Sequence, residues 1–214
     1  MSHQIKNKNR VADHGEVFTS SREVNGMLDL VHHETRRIDS RFLEPACGSG
    51  NFLAPVLERK LGVVNQRYRR SQLEYERAGV IAVSSIYGVD ILLDNVEECR
   101  ERLYEMFKAF YTGLFGTKVK EECLRTVRVI LEKNILWGDA LSMLRADGTG
   151  EPIVFTEWTA VNARKIKRRE YKLTNLMVYQ PMEGDTLFSD LGEEAFLPKP
   201  IREYPLIDFL EIID

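Results

Sequence analysis

The chain lacks any run of about 18 apolar residues, the length a helix needs to cross a bilayer, so no membrane span is expected. Its opening MSHQIKNKNR is polar and carries no signal-peptide apolar core. Cysteine is scarce. Cys47, Cys99 and Cys123 are odd in number, widely spaced and form no CxxC, which excludes a disulfide framework and a zinc knuckle and suits a reducing cytoplasm. His32 and His33 are adjacent but have no companion ligands at a sensible spacing, so they are expected to be solvated or to cap a helix, and no metal is expected. Repeats and low-complexity segments are absent. No Gly-Lys-Ser/Thr follows a glycine turn, which excludes a P-loop. What is present is 214 residues, 43% of them hydrophobic, with a formal charge of -3, enough for one good core and one domain.

The chain is organised around Phe42–Leu53, FLEPACGSGNFL. Arg41 to Leu43 read as the end of a short buried strand, with the carboxylate of Glu44 at its C-terminal tip. Pro45 has no N–H to give to a ladder and ends the pairing. Ala46, Gly48, Ser49 and Gly50 are small, and the two glycines allow positive φ and a close ligand approach. From Asn51 and Phe52 onward the apolar spacing is helical. A strand, a small-residue turn and a helix N-terminus form a ligand site at the strand edge of open α/β sheets. A dinucleotide fingerprint fits worse, because its third glycine would fall at Leu53.

Two more strands are expected to end the same way. Ile81–Val89 reads as a buried strand with Asp90 and Ile91 at its tip, and Ile135–Trp137 as another, with Asp139 and Ala140 just beyond. Three carboxylates at successive tips would converge on one rim of a parallel sheet. Upstream, Thr19, Ser20 or Ser21 can cap a helix with Glu23 in its first turn, and Val24, Met27, Leu28 and Val31 fall on one face. Leu57–Ala82 reads as charged helix, and Arg67, Arg69 and Arg70 as its solvated face.

FLEPACGSGNFL resembles the cofactor motif of adenine-N6 DNA methyltransferases, with Glu44 where that family usually has Asp. YGVDI and NILWGDAL resemble its second and third cofactor motifs, and Gly15, Phe18 and Thr19 match its N-terminal one, with Ser20 in place of Pro. The resemblance covers roughly residues 14–144, in the family's order, and is nearest to type I modification subunits and single-chain restriction-methylases. It implies a Rossmann-like fold, with a mostly parallel central sheet and helices on both faces, that binds S-adenosyl-L-methionine (AdoMet). It implies a cofactor site of Phe18, Thr19, Glu44, Pro45, Ala46, Gly48, Gly50, Asn51, Phe52, Asp90, Ile91, Asp139 and Ala140. In it, Asp90 would accept from both ribose hydroxyls and Asp139 would contact the adenine amino group.

The pattern breaks at the fourth strand, expected at Pro152–Thr156. Active relatives end it in Asn-Pro-Pro-Tyr; this chain has Thr156-Glu157-Trp158-Thr159 and no such string anywhere. Glu157 and Trp158 are the candidates for an acceptor and a stacking ring. Asn162–Lys172 follows with six basic residues against Glu170; Arg164, Lys165, Lys167, Arg168 and Arg169 are candidate contacts to DNA phosphates, or a basic helix face in solvent. Leu173–Tyr179 reads as a fifth strand. From Pro181 nine acidic residues stand against Lys199 and Arg202, an irregular tail packed on the domain or on a partner. The expected organisation is a flexible segment 1–13, an AdoMet-binding methyltransferase-like domain 14–180 and the acidic tail 181–214. The expected function is AdoMet binding by a degenerate or split adenine methyltransferase, with a partner subunit supplying target recognition. Methyl transfer to another substrate and a non-catalytic regulatory or assembly role are the alternatives.

Overall fold

The computed structural model describes residues 19–162, 164–177 and 198–213, and Phe18 and segment 1–13 lie outside them. Helix α1 (Ser21–Leu30) begins in a capping box: the Ser20 hydroxyl accepts from the Glu23 N–H, and the Glu23 carboxylate accepts from the Ser20 N–H. Only Val24 and Leu28 of its apolar face are buried; Met27 and Val31 are exposed. A single turn, α2 (His32–Thr35), leads to β1 (Phe42–Glu44). The charged helical stretch is two helices, α3 (Leu53–Tyr68) and α4 (Gln72–Ser84), separated at Ser71, which caps the second. Helix α4 runs to Ser84, so the second strand starts later than its sequence suggests: β2 is Ile86–Asp90. Then come α5 (Leu93–Phe115), α6 (Glu121–Asn134), β3 (Ile135–Asp139) and the two-residue β4 (Leu144–Arg145).

These strands form a four-stranded, mostly parallel sheet in the order β1-β2-β3-β4, with only β4 antiparallel. The order never reverses. Successive crossovers of one hand therefore carry α3–α4 and α5–α6 to the same side, so these long helices do not cover both faces as expected. Side chains alternate along β2. Ile86 packs with the helices, whereas Tyr87 and Val89 pack in a separate cluster with Ile153, Phe155 and Leu173. Strand β2 is buried throughout, as a central parallel strand should be. Strand β1 is not the buried strand expected; it lies at the sheet's edge, with Leu43 43% exposed.

The opposite face is covered by a hairpin. Strand β5 (Val154–Ala160) is not a fourth parallel strand; it pairs antiparallel with β6 (Lys165–Lys172), and Asn162 accepts from the N–H groups of Arg164 and Lys165 to make the turn. The basic stretch is thus a strand, and Leu173–Met177, expected as a strand, is the short helix α7. The described part of the tail is ordered onto the domain. Strands β7 (Arg202–Glu203) and β8 (Ile207–Asp208) pair with β6, and Phe209, Leu210 and Ile212 enter the helical core. Among the described residues no helix is long and apolar enough to cross a membrane.

Candidate functional site at the carboxylate rim

The register sets three carboxylates on a stepped rim. Glu44 stands opposite Gly88, and Asp90 lies two residues further along β2. Asp90 stands opposite Trp137, and Asp139 lies two residues further along β3. Each step is about 6–7 Å along the strand direction, so the three acids descend across the same C-terminal edge.

The glycine turn is fastened to the end of β2. The Cys47 N–H donates to the Val89 carbonyl at 2.9 Å and the Gly48 N–H to Asp90 Oδ2 at 2.8 Å. Gly48 and Gly50 have φ of 51° and 82°, which glycine adopts without steric cost. Gly50 serves packing rather than ligand approach: a Cβ there would lie 2.9 Å from Cys99 Sγ on α5. Cys47 is buried beneath the turn, and its contact with Cys99 together with burial raises its thiol pKa, so it is inert. Arg102, which sequence reasoning missed, clamps the turn from α5 by donating to the Ser49 carbonyl and to Asn51 Oδ1. Nothing local in the sequence marks it, since it lies 51 residues beyond Asn51.

Asp90 is chiefly a brace. Oδ1 accepts from the Leu92 N–H at 2.9 Å and from Asn95 Nδ2 at 3.3 Å, while Oδ2 holds Gly48. A carboxylate has about four acceptor positions, so about one remains free, fewer than the two-hydroxyl role implied by the resemblance. Glu44 is the reverse case. It is half-buried, burial raises its pKa, and a backbone hydrogen bond at Ala46 opposes that shift only in part. Asp139 is kept below the usual carboxylate range by the Leu141 N–H and by Ser142. Around these acids lie exposed apolar groups: Leu141 is 94% and Ile91 48% exposed, and the Trp137 indole donates to the Ile91 carbonyl at 2.9 Å. Pro45, Ala46 and Thr19 are exposed, Phe52 packs on the core, and Ala140 lies against the Tyr87 cluster.

Glu157 and Trp158 are not at this rim. Glu157 binds the guanidinium of Arg41, at the start of β1, and accepts from Arg169 and from the Tyr171 hydroxyl. Trp158 is 6% exposed within the helical core, and its indole donates to Asn134 Oδ1, just before β3. Both contacts mark the N-terminal edge of the sheet. The physical reason is the hairpin: β5 turns back into β6 instead of running parallel with its end at the rim.

Four of the five candidate DNA contacts are already paired with acids; Lys165 is the exception among the ion pairs of the described residues. Arg164 pairs with Asp208, Lys167 with Glu203, Arg168 with Glu170, and Arg169 with Glu157 and Glu203. Arg168 also stacks on Tyr204, 4.1 Å from the ring centre. Lys167 holds Glu203 below the usual carboxylate range. No family model, curated protein or solved structure matches this chain.

Proposed function

We propose that the chain binds AdoMet at the carboxylate rim of a Rossmann-like half-sheet and has no methyl-acceptor site of its own. The observation that carries this reading is the stepped row of Glu44, Asp90 and Asp139 beside a glycine turn that Asp90 holds in place. The residues fit the cofactor's groups. Glu44, half-buried with no salt bridge among the described residues, suits an ammonium. The remaining acceptor position of Asp90 suits a ribose hydroxyl, and Asp139 an exocyclic amine. Ile91 and Leu141 offer apolar surface to a purine. AdoMet when bound supplies a methyl group on a sulfonium. The chain's own residues bind and orient; among the described residues the two acceptor-site candidates, Glu157 and Trp158, sit at the other edge. An adenine-N6 methyltransferase built on this chain would take its acceptor site and target recognition from a partner. Among the described residues β1 has ladder pairing on one side only, and that free edge could receive a further strand.

The test is calorimetry with AdoMet and S-adenosylhomocysteine on wild type and Glu44→Gln. Because burial disfavours the charged Glu44, the neutral isostere should leave the fold as stable or more so. It should nonetheless weaken binding about tenfold or more, the value of a lost charge-assisted hydrogen bond. Absence of wild-type binding at millimolar cofactor would end the reading. Labelled-methyl transfer to mixed-sequence DNA should be absent for the isolated chain; turnover that disappears in Glu157→Ala would overturn the lack of an acceptor site.

A further inference from the structure

A cavity of about 840 Å³ lies away from the rim, between the α1–α2 segment and α3, with Asp29, Arg36, Arg59, Gly62, Gln66 and Arg67 in its lining. Its α3 wall repeats at helical spacing, so Arg59, Gly62, Gln66 and Arg67 share one face that runs about 12 Å from Arg59 to Arg67. In a chain of net charge -3, the described lining brings the guanidiniums of Arg36, Arg59 and Arg67 together with His32 and one carboxylate, Asp29. Asp29 is taken by Arg59 at 2.7 Å, and Arg59 is held further by Asn25 Oδ1 at 3.1 Å. Arg36 and Arg67 have no ion pair among the described residues. They differ in this from every arginine of β6.

Gly62 is the second observation. It sits inside a 16-residue helix, where glycine costs roughly 0.5–1 kcal/mol relative to alanine. Its side-chain position meets nothing within 4 Å, so no packing demand accounts for it. What a glycine does there is keep the cavity wall low between Arg59 and Arg67. The size lies in the range of small-molecule sites, about 300–1,000 Å³. Two free planar forks facing a polar hollow match the geometry of phosphate oxygens, which guanidinium binds in a bidentate way.

We propose that this cavity is a phosphate-binding site, with Arg36 and Arg67 as the ligating groups, Arg59 held in the wall by Asp29 and Asn25, and a phosphorylated small molecule or a nucleic-acid strand as the source of the phosphates. The proposal does not depend on AdoMet binding at the rim.

The test titrates the whole chain with inorganic pyrophosphate by calorimetry at low salt, and with a fluorescent 20-nucleotide single strand by anisotropy. Arg36→Glu with Arg67→Glu should weaken pyrophosphate binding about tenfold or more, whereas Arg36→Lys with Arg67→Lys should retain part of it. Arg22→Glu with Arg125→Glu makes the same change in net charge on exposed helix positions outside the cavity, and should leave binding within about twofold. Gly62→Gln should fill the hollow and weaken binding without loss of thermal stability, which separates blocking from unfolding. A strand that binds, is displaced by pyrophosphate and is lost in the double glutamate variant assigns the phosphates to nucleic acid. Pyrophosphate binding with no strand binding assigns them to a small molecule. The proposal is overturned if wild type does not bind pyrophosphate, or if both double glutamate variants lose it equally.

Discussion

The two sheets treat their acids in opposite ways. At the rim of the parallel sheet, Asp90 and Asp139 are held by N–H groups of the protein, and Glu44 keeps part of its burial cost uncompensated. In the antiparallel sheet, Glu157, Glu170, Glu203 and Asp208 each meet an arginine or lysine. A carboxylate satisfied by amides still carries its charge toward a ligand; one that faces a guanidinium has spent it on the fold. Under the proposed function, ligand binding falls to the first sheet and cohesion to the second.

The largest test of that division is Trp158→Ala. If Trp158 is core, the variant loses about 3–5 kcal/mol of stability, as buried aromatic truncations do, measured by denaturant unfolding. A stability loss near zero, with the ring instead required for methyl transfer, would break the comparison from the second sheet's side. Next is Asp90→Ala, which orphans the Gly48 and Leu92 N–H groups and the Asn95 amide. The expected loss is about 1–3 kcal/mol, together with loss of AdoMet or S-adenosylhomocysteine binding. Asp139→Asn should cost little stability, because Asp139 lies at the open end of the rim, and still weaken the cofactor.

Lys60 sharpens the contrast as a buried amine with no carboxylate bonded to it among the described residues. It is fully buried and donates to the carbonyls of Ile38 and Ser40 and to the Ser85 hydroxyl at 2.5 Å, tying the approach to β1 onto α3. Burial pushes its pKa from 10.5 down to about 7. Between these values the unfolded chain holds a proton here that the folded chain does not, so stability rises with pH across that window. Below about pH 7 the cost of the buried charge is fully present. The slope from one group is at most about 1.4 kcal/mol per pH unit. Unfolding of Lys60→Met, compared with wild type from about pH 6 to 10, should lack that component.

Much of the first sheet was legible because its signals are local. Strand, proline, small-residue turn and helix lie within twelve residues at Phe42–Leu53, and β3 ends at Asp139 two residues after Trp137. The capping box at Ser20 and Glu23 could be read the same way. What could not be read was partnership across long separations. Arg41 finds Glu157 across 116 positions and Arg164 finds Asp208 across 44, so the basic run looked like a free surface. The hairpin is hard to read because KIKRREYK has few apolar residues to show a period of two, and Lys167, Arg168 and Arg169 are matched by acids of the antiparallel sheet instead of by solvent. The placement of α3–α6 on one face follows from the order β1-β2-β3, which sequence motifs do not encode.

The smallest effect tests the second sheet's neutrality directly. Glu203 is exposed and joins Lys167 at 3.0 Å and Arg169 at 3.4 Å. Exposed pairs contribute about 0.2–1 kcal/mol, so Glu203→Gln should barely move the unfolding midpoint. Its electrostatic consequence is larger than its stability effect, since it frees Lys167 and leaves Arg169 with Glu157 alone. Duplex DNA binding through β6 should be negligible in wild type and become weakly measurable in the variant. Its log K should fall with log salt by about 0.9 for each phosphate neutralised, so the freed Lys167 gives a slope of about one. Charge substitution is the right instrument here. Ending the chain near Pro181 would also remove Phe209, Leu210 and Ile212 from the core and confound charge with folding. Wild-type duplex binding that Lys167→Ala and Arg169→Ala abolish, with Glu203→Gln making no difference, would mean the strand's cations are free after all, and the contrast between the sheets would fall.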